Sequence, residues 1–236
     1  DITEEQQHLD IASGTGEPGL SVAWAAPAGR VVLTDLAPEM LDVAERRAAA
    51  QGIANVTTRV CSADDLPFDD ATFDSVSVRF GYMFFPDLAR ATAEFVRVLR
   101  PGGRLCSSVW VEPDENPWTS IAMQAIATEV ALAPPDPGRP NMFRCAAPRQ
   151  VSALYEDAGL HDVAEWDVGV ELVTRSPEEY WEMISEHVSL AVAALRLVDA
   201  PIRERIRARA IETVRPFEHD GEVRVPGLAR CIVGTK

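Results

Sequence analysis

The residues best placed to do chemistry stand near the start of the chain, in Leu9-Asp10-Ile11-Ala12-Ser13-Gly14-Thr15-Gly16-Glu17-Pro18-Gly19. Gly14 and Gly16 lack a Cβ, so a ligand can approach the backbone closely and the chain can adopt positive φ. A second candidate is Asp35, which ends the β-branched run "RVVLTD". A carboxylate at the end of a strand can accept two hydrogen bonds from the hydroxyls of a ribose. A glycine loop followed by an acid at this distance points to a nucleoside-bearing ligand.

Read literally, Gly14-x-Gly16-x-x-Gly19 is also the dinucleotide fingerprint. A pyrophosphate would sit at the N-terminus of the following helix, where the dipole favours anions. Glu17 stands at that point and would repel it, and Asp10 adds a second carboxylate near the loop. S-adenosylmethionine carries a sulfonium and an ammonium there and no phosphate, so carboxylates suit it better than they suit NAD. Asp10 has a plainer reading as well, a hydrogen bond that ties the loop.

The elements that must position these groups alternate in type. Strand signals fall at 7–12, 30–35, 55–61, 73–80 and 104–111. Helix signals fall at 17–26, 38–52 and 87–100, the last broken by Pro101-Gly102-Gly103. Such alternation predicts an α/β fold, a mostly parallel sheet covered by helices on both faces. In such sheets ligands bind at the carboxyl ends of the strands, where these motifs lie. Further along, 113–140 holds one helix-like run and then a proline-rich turn. A helix over 149–160 and a strand over 162–173 follow, and Ser176-Pro177-Glu178-Glu179 reads as a capping box opening a helix to about 198. Another helix, 201–215, precedes a closing strand, 222–236.

The 236 residues suit one domain, and a hydrophobic share of 47% excludes a disordered chain. The formal charge of −15 repels phosphate backbones, which argues against a nucleic-acid substrate. Arg203, Arg205, Arg207 and Arg209 form a local exception. Interleaved with Glu204 and Glu212, they read as a solvated helix face rather than a binding patch. No apolar run is long enough to span a bilayer. Cys61, Cys106, Cys145 and Cys231 have no metal-ligand spacing, so no metal is expected. The first, second and fourth of them read as buried thiols, which suits a reducing cytoplasm.

The chain resembles the class I S-adenosylmethionine-dependent methyltransferases, in the branch similar to the ubiquinone/menaquinone C-methyltransferases. The segments "LDIASGTGEPG", "VVLTDLAPEML", "ADDLPFDDATFD", "VRFGYMFFPD" and "RVLRPGGRL" carry the resemblance, in order, over residues 7 to 110. It implies a three-layer α/β/α sandwich, Rossmann-like, with seven strands, the last antiparallel and inserted beside the fifth. S-adenosylmethionine would be the cofactor and S-adenosylhomocysteine its product. Asp10 would lie near the methionine moiety, and Ala12, Gly14, Thr15 and Gly16 would meet the cofactor along the loop. Asp35 would hold the ribose, with Leu36 and Met40 on the adenine. Main chain near Arg79 would meet the amino-acid end. Ser62 stands where the family usually has an aspartate for the adenine amino group, with Ala63 and Asp64 beside it; Asp64 can substitute. Family members usually carry a helical segment ahead of the first strand, and here only "DITEEQQ" precedes it.

The implied reaction is an in-line displacement, promoted by proximity and exclusion of water. The acceptor would be a small molecule of aromatic, polyketide-like or isoprenoid/quinone type. One methyltransferase domain over 1–236 is expected, with a cofactor-binding core at 1–110 and lid insertions at 111–147 and 175–220. Tyr82, Met83, Trp110, Trp118, Tyr180 and Trp181 are the candidate acceptor contacts. His187 and Tyr82 are the candidates for a proton acceptor, needed only where the acceptor must lose a proton. His8 and His161 read as structural or exposed. The rivals are an NAD-dependent oxidoreductase, a nucleic-acid methyltransferase and a non-catalytic cofactor-binding module. Monomer and homodimer both stay open.

Overall fold

The computed structural model describes residues 2–132, 136 and 138–236. The proline-rich turn expected before residue 140 lies partly outside them. Two compact units are present. Unit 1 comprises Asp1–Val109, Pro137–Asp167 and Arg230–Lys236; unit 2 comprises Trp110–Asp136 and Val168–Ala229.

Unit 1 is built on parallel pairing. Strands β1 (Gln7–Ile11), β2 (Arg30–Asp35) and β3 (Val56–Val60) alternate with helices α1 (Gly19–Ala25) and α2 (Pro38–Ala50). Strand β4 (Phe73–Arg79), helix α3 (Leu88–Val98) and strand β5 (Leu99–Trp110) follow. Beyond them, α5 (Gln150–Asp157) leads into β6 (His161–Thr174), and β8 (Glu222–Thr235) comes last; β6 belongs to unit 1 up to Asp167 and β8 from Arg230. The sheet order is β3-β2-β1-β4-β5-β8-β6. The chain builds outward from β1 in one direction and then, from β4, in the other. Right-handed crossovers then place α1 and α2 on one face and α3 on the opposite face, giving three layers. A short β7 (Glu218–His219) pairs antiparallel with β8 and makes the eighth strand, one more than the seven expected.

The core beneath the loop is apolar. Leu20 and Ala23 of α1, Val31 and Leu33 of β2, and Leu41, Ala44 and Ala48 of α2 form one buried cluster. β2 is buried at four successive positions, as expected for a parallel strand covered on both faces. On the other side Tyr82, Phe85, Phe95 and Tyr155 pack with ring centroids 5.6 to 6.2 Å apart.

Two elements, and the burial of the thiols, differ from the sequence reading. β5 begins at Leu99, not at 104. Pro101-Gly102-Gly103 is a bulge inside the strand: the pairing runs Phe73 to Leu99, then shifts to Ser75 opposite Arg104. Gly102 absorbs the shift at φ +79°, and the backbone of Lys236 bonds to both glycines. The helix expected over 176–198 is two, α6 (Pro177–His187) and α7 (Ser189–Leu195). Ser176 caps α6 by accepting from the Glu179 N–H, as the capping box requires. The backbone of Val188 turns extended and its side chain is buried, which splits the run. Among the thiols the buried one is Cys145, whereas Cys106 is exposed and Cys61 and Cys231 are half-buried.

Unit 2 also holds α4 (Pro117–Ala127) and α8 (Ala200–Val214). Its polar centre is Asn116, fully buried. The Asn116 amide donates to the carbonyls of Val111, Glu112 and Leu228, and its oxygen accepts from Trp118 Nε1 and the Leu228 N–H, all at 3.1 to 3.3 Å. Trp118 packs on Trp110 with centroids 4.9 Å apart.

Candidate functional site

The glycine loop leaves β1 through Ala12, at φ +52°, and Gly14, at φ +53°. Asp35 at the tip of β2 holds it: Oδ2 accepts the Gly14 N–H at 2.9 Å and Oδ1 accepts the Ala37 N–H at 3.0 Å. One carboxylate thus fixes both the loop and the start of α2. Each oxygen keeps a further lone pair for a ligand. A Cβ on Gly14 would meet open space, so its backbone faces outward. A Cβ on Gly16 would collide with Leu20 and meet Ala44, so this glycine serves the packing of α1 on α2. Thr15 faces the same side, where its carbonyl and hydroxyl accept from Arg47.

Asp10 is fully buried under this loop. Its Oδ2 accepts the Gly19 N–H at 2.9 Å and its Oδ1 accepts from Ser77 Oγ at 2.5 Å. Burial pushes the carboxyl up to about 7, against these two hydrogen bonds and nearby Arg79. His8 continues the chain of contacts, its ring nitrogens 2.6 Å from Ser75 Oγ and 2.9 Å from Ser77 Oγ. Burial lowers the His8 pKa to about 4. Asp10 therefore ties the loop to β4, the plainer of its two readings, and is not among the residues lining the cavity beside it.

That cavity, of about 290 Å³, opens at the carboxyl ends of β1, β2 and β4. Ala12, Asp35 and Leu36 form one wall, and Ser62, Ala63 and Asp64 a second. Ser62 donates its hydroxyl to Asp64 Oδ1 at 2.5 Å, which turns the pair into one polar edge with a carboxylate. Phe80, Gly81, Phe84 and Phe85, after β4, supply the apolar side. Phe80, like Ala12, has a left-handed backbone, at φ +55°. Two non-glycine residues in that conformation around one cavity are the kind of strain that collects at functional sites. Ser13 Oγ is buried in the loop with no hydrogen-bond partner among the described residues. A carboxylate for hydroxyls, an apolar slot and a polar far edge fit an adenosine group.

Residues 9–103 match the family described as a methyltransferase domain. The matched segment is the one in which the sequence resembles the class I enzymes. The chain is similar to the demethylmenaquinone methyltransferase of Thermus thermophilus, 46% identical over 99 residues, which are 41% of this chain and 44% of that protein. It is also similar to the ubiquinone/menaquinone biosynthesis C-methyltransferase of Bordetella parapertussis, 47% identical over 98 residues, 41% of this chain and 38% of that one. The chain thus spans less than half the length of these curated relatives. Its fold is that of the YcgJ protein from Bacillus subtilis, with a TM-score of 0.60 over 100% of this chain and 94% of that one at 21% identity.

Around the segment that matches this family, the cavity gathers Ala12, Asp35, Leu36, Ser62, Ala63 and Asp64 of the expected cofactor set. Met40 is partly exposed and stands outside its lining, one turn further along α2. Arg79 is exposed, and its Nε donates to the Glu17 carbonyl at 3.1 Å; the following Phe80 and Gly81 reach the cavity instead. Tyr82 and Met83 are wholly buried and do not reach it. The Tyr82 hydroxyl lies 2.7 Å from Thr92 Oγ1, burial pushes its pKa up, and the residue packs in the core. Cys61, Phe80, Gly81, Phe84, Phe85 and Pro86 were not singled out by sequence. The rule that ligands sit beyond the strand ends was signal enough for the turn after β4.

The other acceptor candidates, Trp110, Trp118, Tyr180 and Trp181, belong to unit 2. Tyr180 and Trp181 are buried on α6, and His187 is exposed at its last position. Among the described residues no group of three or more His, Cys, Asp or Glu could hold a metal, and no helix is long and apolar enough to cross a membrane.

Proposed function

We propose that this protein transfers a methyl group from S-adenosylmethionine to a small-molecule acceptor. The observation that carries the proposal is Asp35, held by the glycine loop and facing a cavity of adenosine-like polarity inside the segment that matches the family. Bound there, S-adenosylmethionine supplies an activated methyl on a sulfonium. Asp35 would accept from the ribose, Leu36 and Phe84 would flank the base, and the Ser62–Asp64 edge would take the exocyclic amine. Charge-assisted acceptance by Asp64 makes up for the serine at position 62. The apolar turn after β4 excludes water, which strengthens every polar contact in the cavity.

The relatives carry names that specify quinone methylation, and the acceptor we assign is an aromatic, polyketide-like or isoprenoid/quinone molecule. Selection of that acceptor falls to unit 2, with Trp110, Trp118, Tyr180 and Trp181. His187 is the proton acceptor we carry forward, because its side chain is exposed whereas Tyr82 is packed in the core. The four free thiols suit a reducing cytoplasm. Calorimetry with S-adenosylmethionine, S-adenosylhomocysteine, NAD and NADP tests the cofactor. Binding of the two sulfur nucleotides, lost in Asp35→Ala, is expected. Binding of NAD alone would make the glycine loop a dinucleotide site and end the proposal.

A further inference from the structure

Sequence alone made the arginines of α8 a solvated face, and two of them behave so. Arg205 pairs with Glu129 at 2.8 Å and Arg207 with Glu204 at 3.0 Å. Arg203 does not. Its Nη2 donates to the Leu195 carbonyl at 2.7 Å, which points the guanidinium at α7 without neutralising it. Arg203 and Arg207 line one cleft with Arg196, which follows the last residue of α7. The cleft holds about 400 Å³ between α6, α7 and α8, wholly within unit 2. Trp181, Val192 and Leu195 give it an apolar floor, and Glu182 and Glu186 stand at its α6 side.

The charges of this cleft leave one another unpaired. Neither Glu182 nor Glu186 makes an ion pair with any of the three arginines among the described residues, and the guanidinium of Arg196 has no hydrogen-bond or ionic partner there. With Arg207 paired to Glu204, Arg196 and Arg203 are the two guanidiniums of the cleft without a carboxylate partner among the described residues. A planar guanidinium with unused donors matches an oxyanion, whether carboxylate or phosphate. Side chains on three helices converging over apolar floor also resemble small-molecule sites generally: mostly apolar, with a few polar groups that fix orientation.

We infer that the cleft between α6, α7 and α8 binds a small molecule with one oxyanion head on an apolar body. Arg196 and Arg203 grip the head, Arg207 flanks it, and Glu182 and Glu186 limit the ligand to a single anionic group. The site is separate from the cofactor cavity and does not depend on the methyl-transfer proposal.

The test is calorimetric titration of benzoate and of phenyl phosphate into the wild type, Arg196→Ala, Arg203→Ala and Glu186→Gln at fixed ionic strength. Saturable binding of either probe is expected, weakened about tenfold by each arginine substitution and tightened about threefold by Glu186→Gln. The two probes tell carboxylate from phosphate ligands. S-adenosylhomocysteine affinity, measured on the same four proteins, should stay unchanged, which separates failure here from failure of the cofactor assignment. Absence of saturable binding, or binding indifferent to Arg196 and Arg203, would overturn the inference.

Discussion

The cavity of unit 1 and the cleft of unit 2 solve the same task with different parts. The cavity is made at strand ends, from backbone, the carboxylates of Asp35 and Asp64, a few short side chains and the phenylalanines of the turn after β4. The cleft is made on helix faces, from long charged side chains over an apolar floor. A strand-end site needs particular residue types at particular places, because turns and close approaches tolerate few substitutes. A helical cleft needs only a favourable side chain about every fourth position, and many sequences provide that. The first kind therefore leaves a local motif and the second does not. The buried polar groups divide the same way. Unit 1 buries the imidazole of His8 and the carboxyl of Asp10, whereas unit 2 buries Asn116, Thr119, Thr174 and the Tyr180 hydroxyl, with no carboxyl or imidazole among its described buried residues.

The largest effect should come from Asp35→Ala. It removes the acceptor of the Gly14 and Ala37 N–H groups as well as the ligand's. We expect at least about a 100-fold loss of S-adenosylhomocysteine affinity by calorimetry, the loss of a charge-assisted pair of hydrogen bonds. In unit 2 the corresponding change is Asn116→Ala, which strands buried backbone groups and Trp118 Nε1. It should cost about 2–3 kcal/mol in urea unfolding. Nucleotide affinity should move less than about twofold, well under the tenfold that 1.4 kcal/mol represents. A larger movement would break the comparison by showing the two regions energetically coupled.

The pH dependence sharpens it. Asp10, raised from 3.8 to about 7, stabilises the fold fully below pH 3.8 and loses that contribution as pH rises through 7. His8, lowered from 6.5 to about 4, contributes above pH 6.5 and loses its contribution as pH falls through 4. Between these limits the two oppose each other. Asp10→Asn should therefore unmask a stability that rises from pH 4 to 6.5, and His8→Asn one that falls from pH 4 to 7. Each change should be about 1–3 kcal/mol across the window, read by denaturant unfolding at stepped pH. A flat profile in both variants would refute the assignment of buried charge to unit 1. Smallest should be the polar edge: about tenfold weaker nucleotide binding for Asp64→Asn and about threefold for Ser62→Ala.

What was legible follows the same division. β2 and the start of α2 stand where the sequence put them, because β-branched residues and a proline at the first helical turn have strong local preferences. Asp35 and the glycine loop were legible as a pair. The function of each glycine was not: Gly14 faces open space and Gly16 faces Leu20, and only packing decides that. Tyr82 read as a site residue from its place after β4, yet its ring completes a four-membered aromatic core assembled from distant segments. Pro101-Gly102-Gly103 read as the end of a helix, but that it is a bulge within a strand depends on Lys236, far along the chain.

The strand order has a consequence for how the chain must be made. β8 lies between β5 and β6, so β6 has no neighbour in the sheet until β8 has been synthesised. About fifty residues separate the two strands, and all of α6, α7 and α8 emerge from the ribosome in between. During that interval β6 is an open edge carrying Trp166, Val168 and Val173, each of which stays partly exposed even in the finished fold. Open apolar edges of this kind recruit other strands. The period between the birth of β6 and the arrival of β8 is therefore when the nascent protein is most exposed to misassociation and has most to gain from a chaperone.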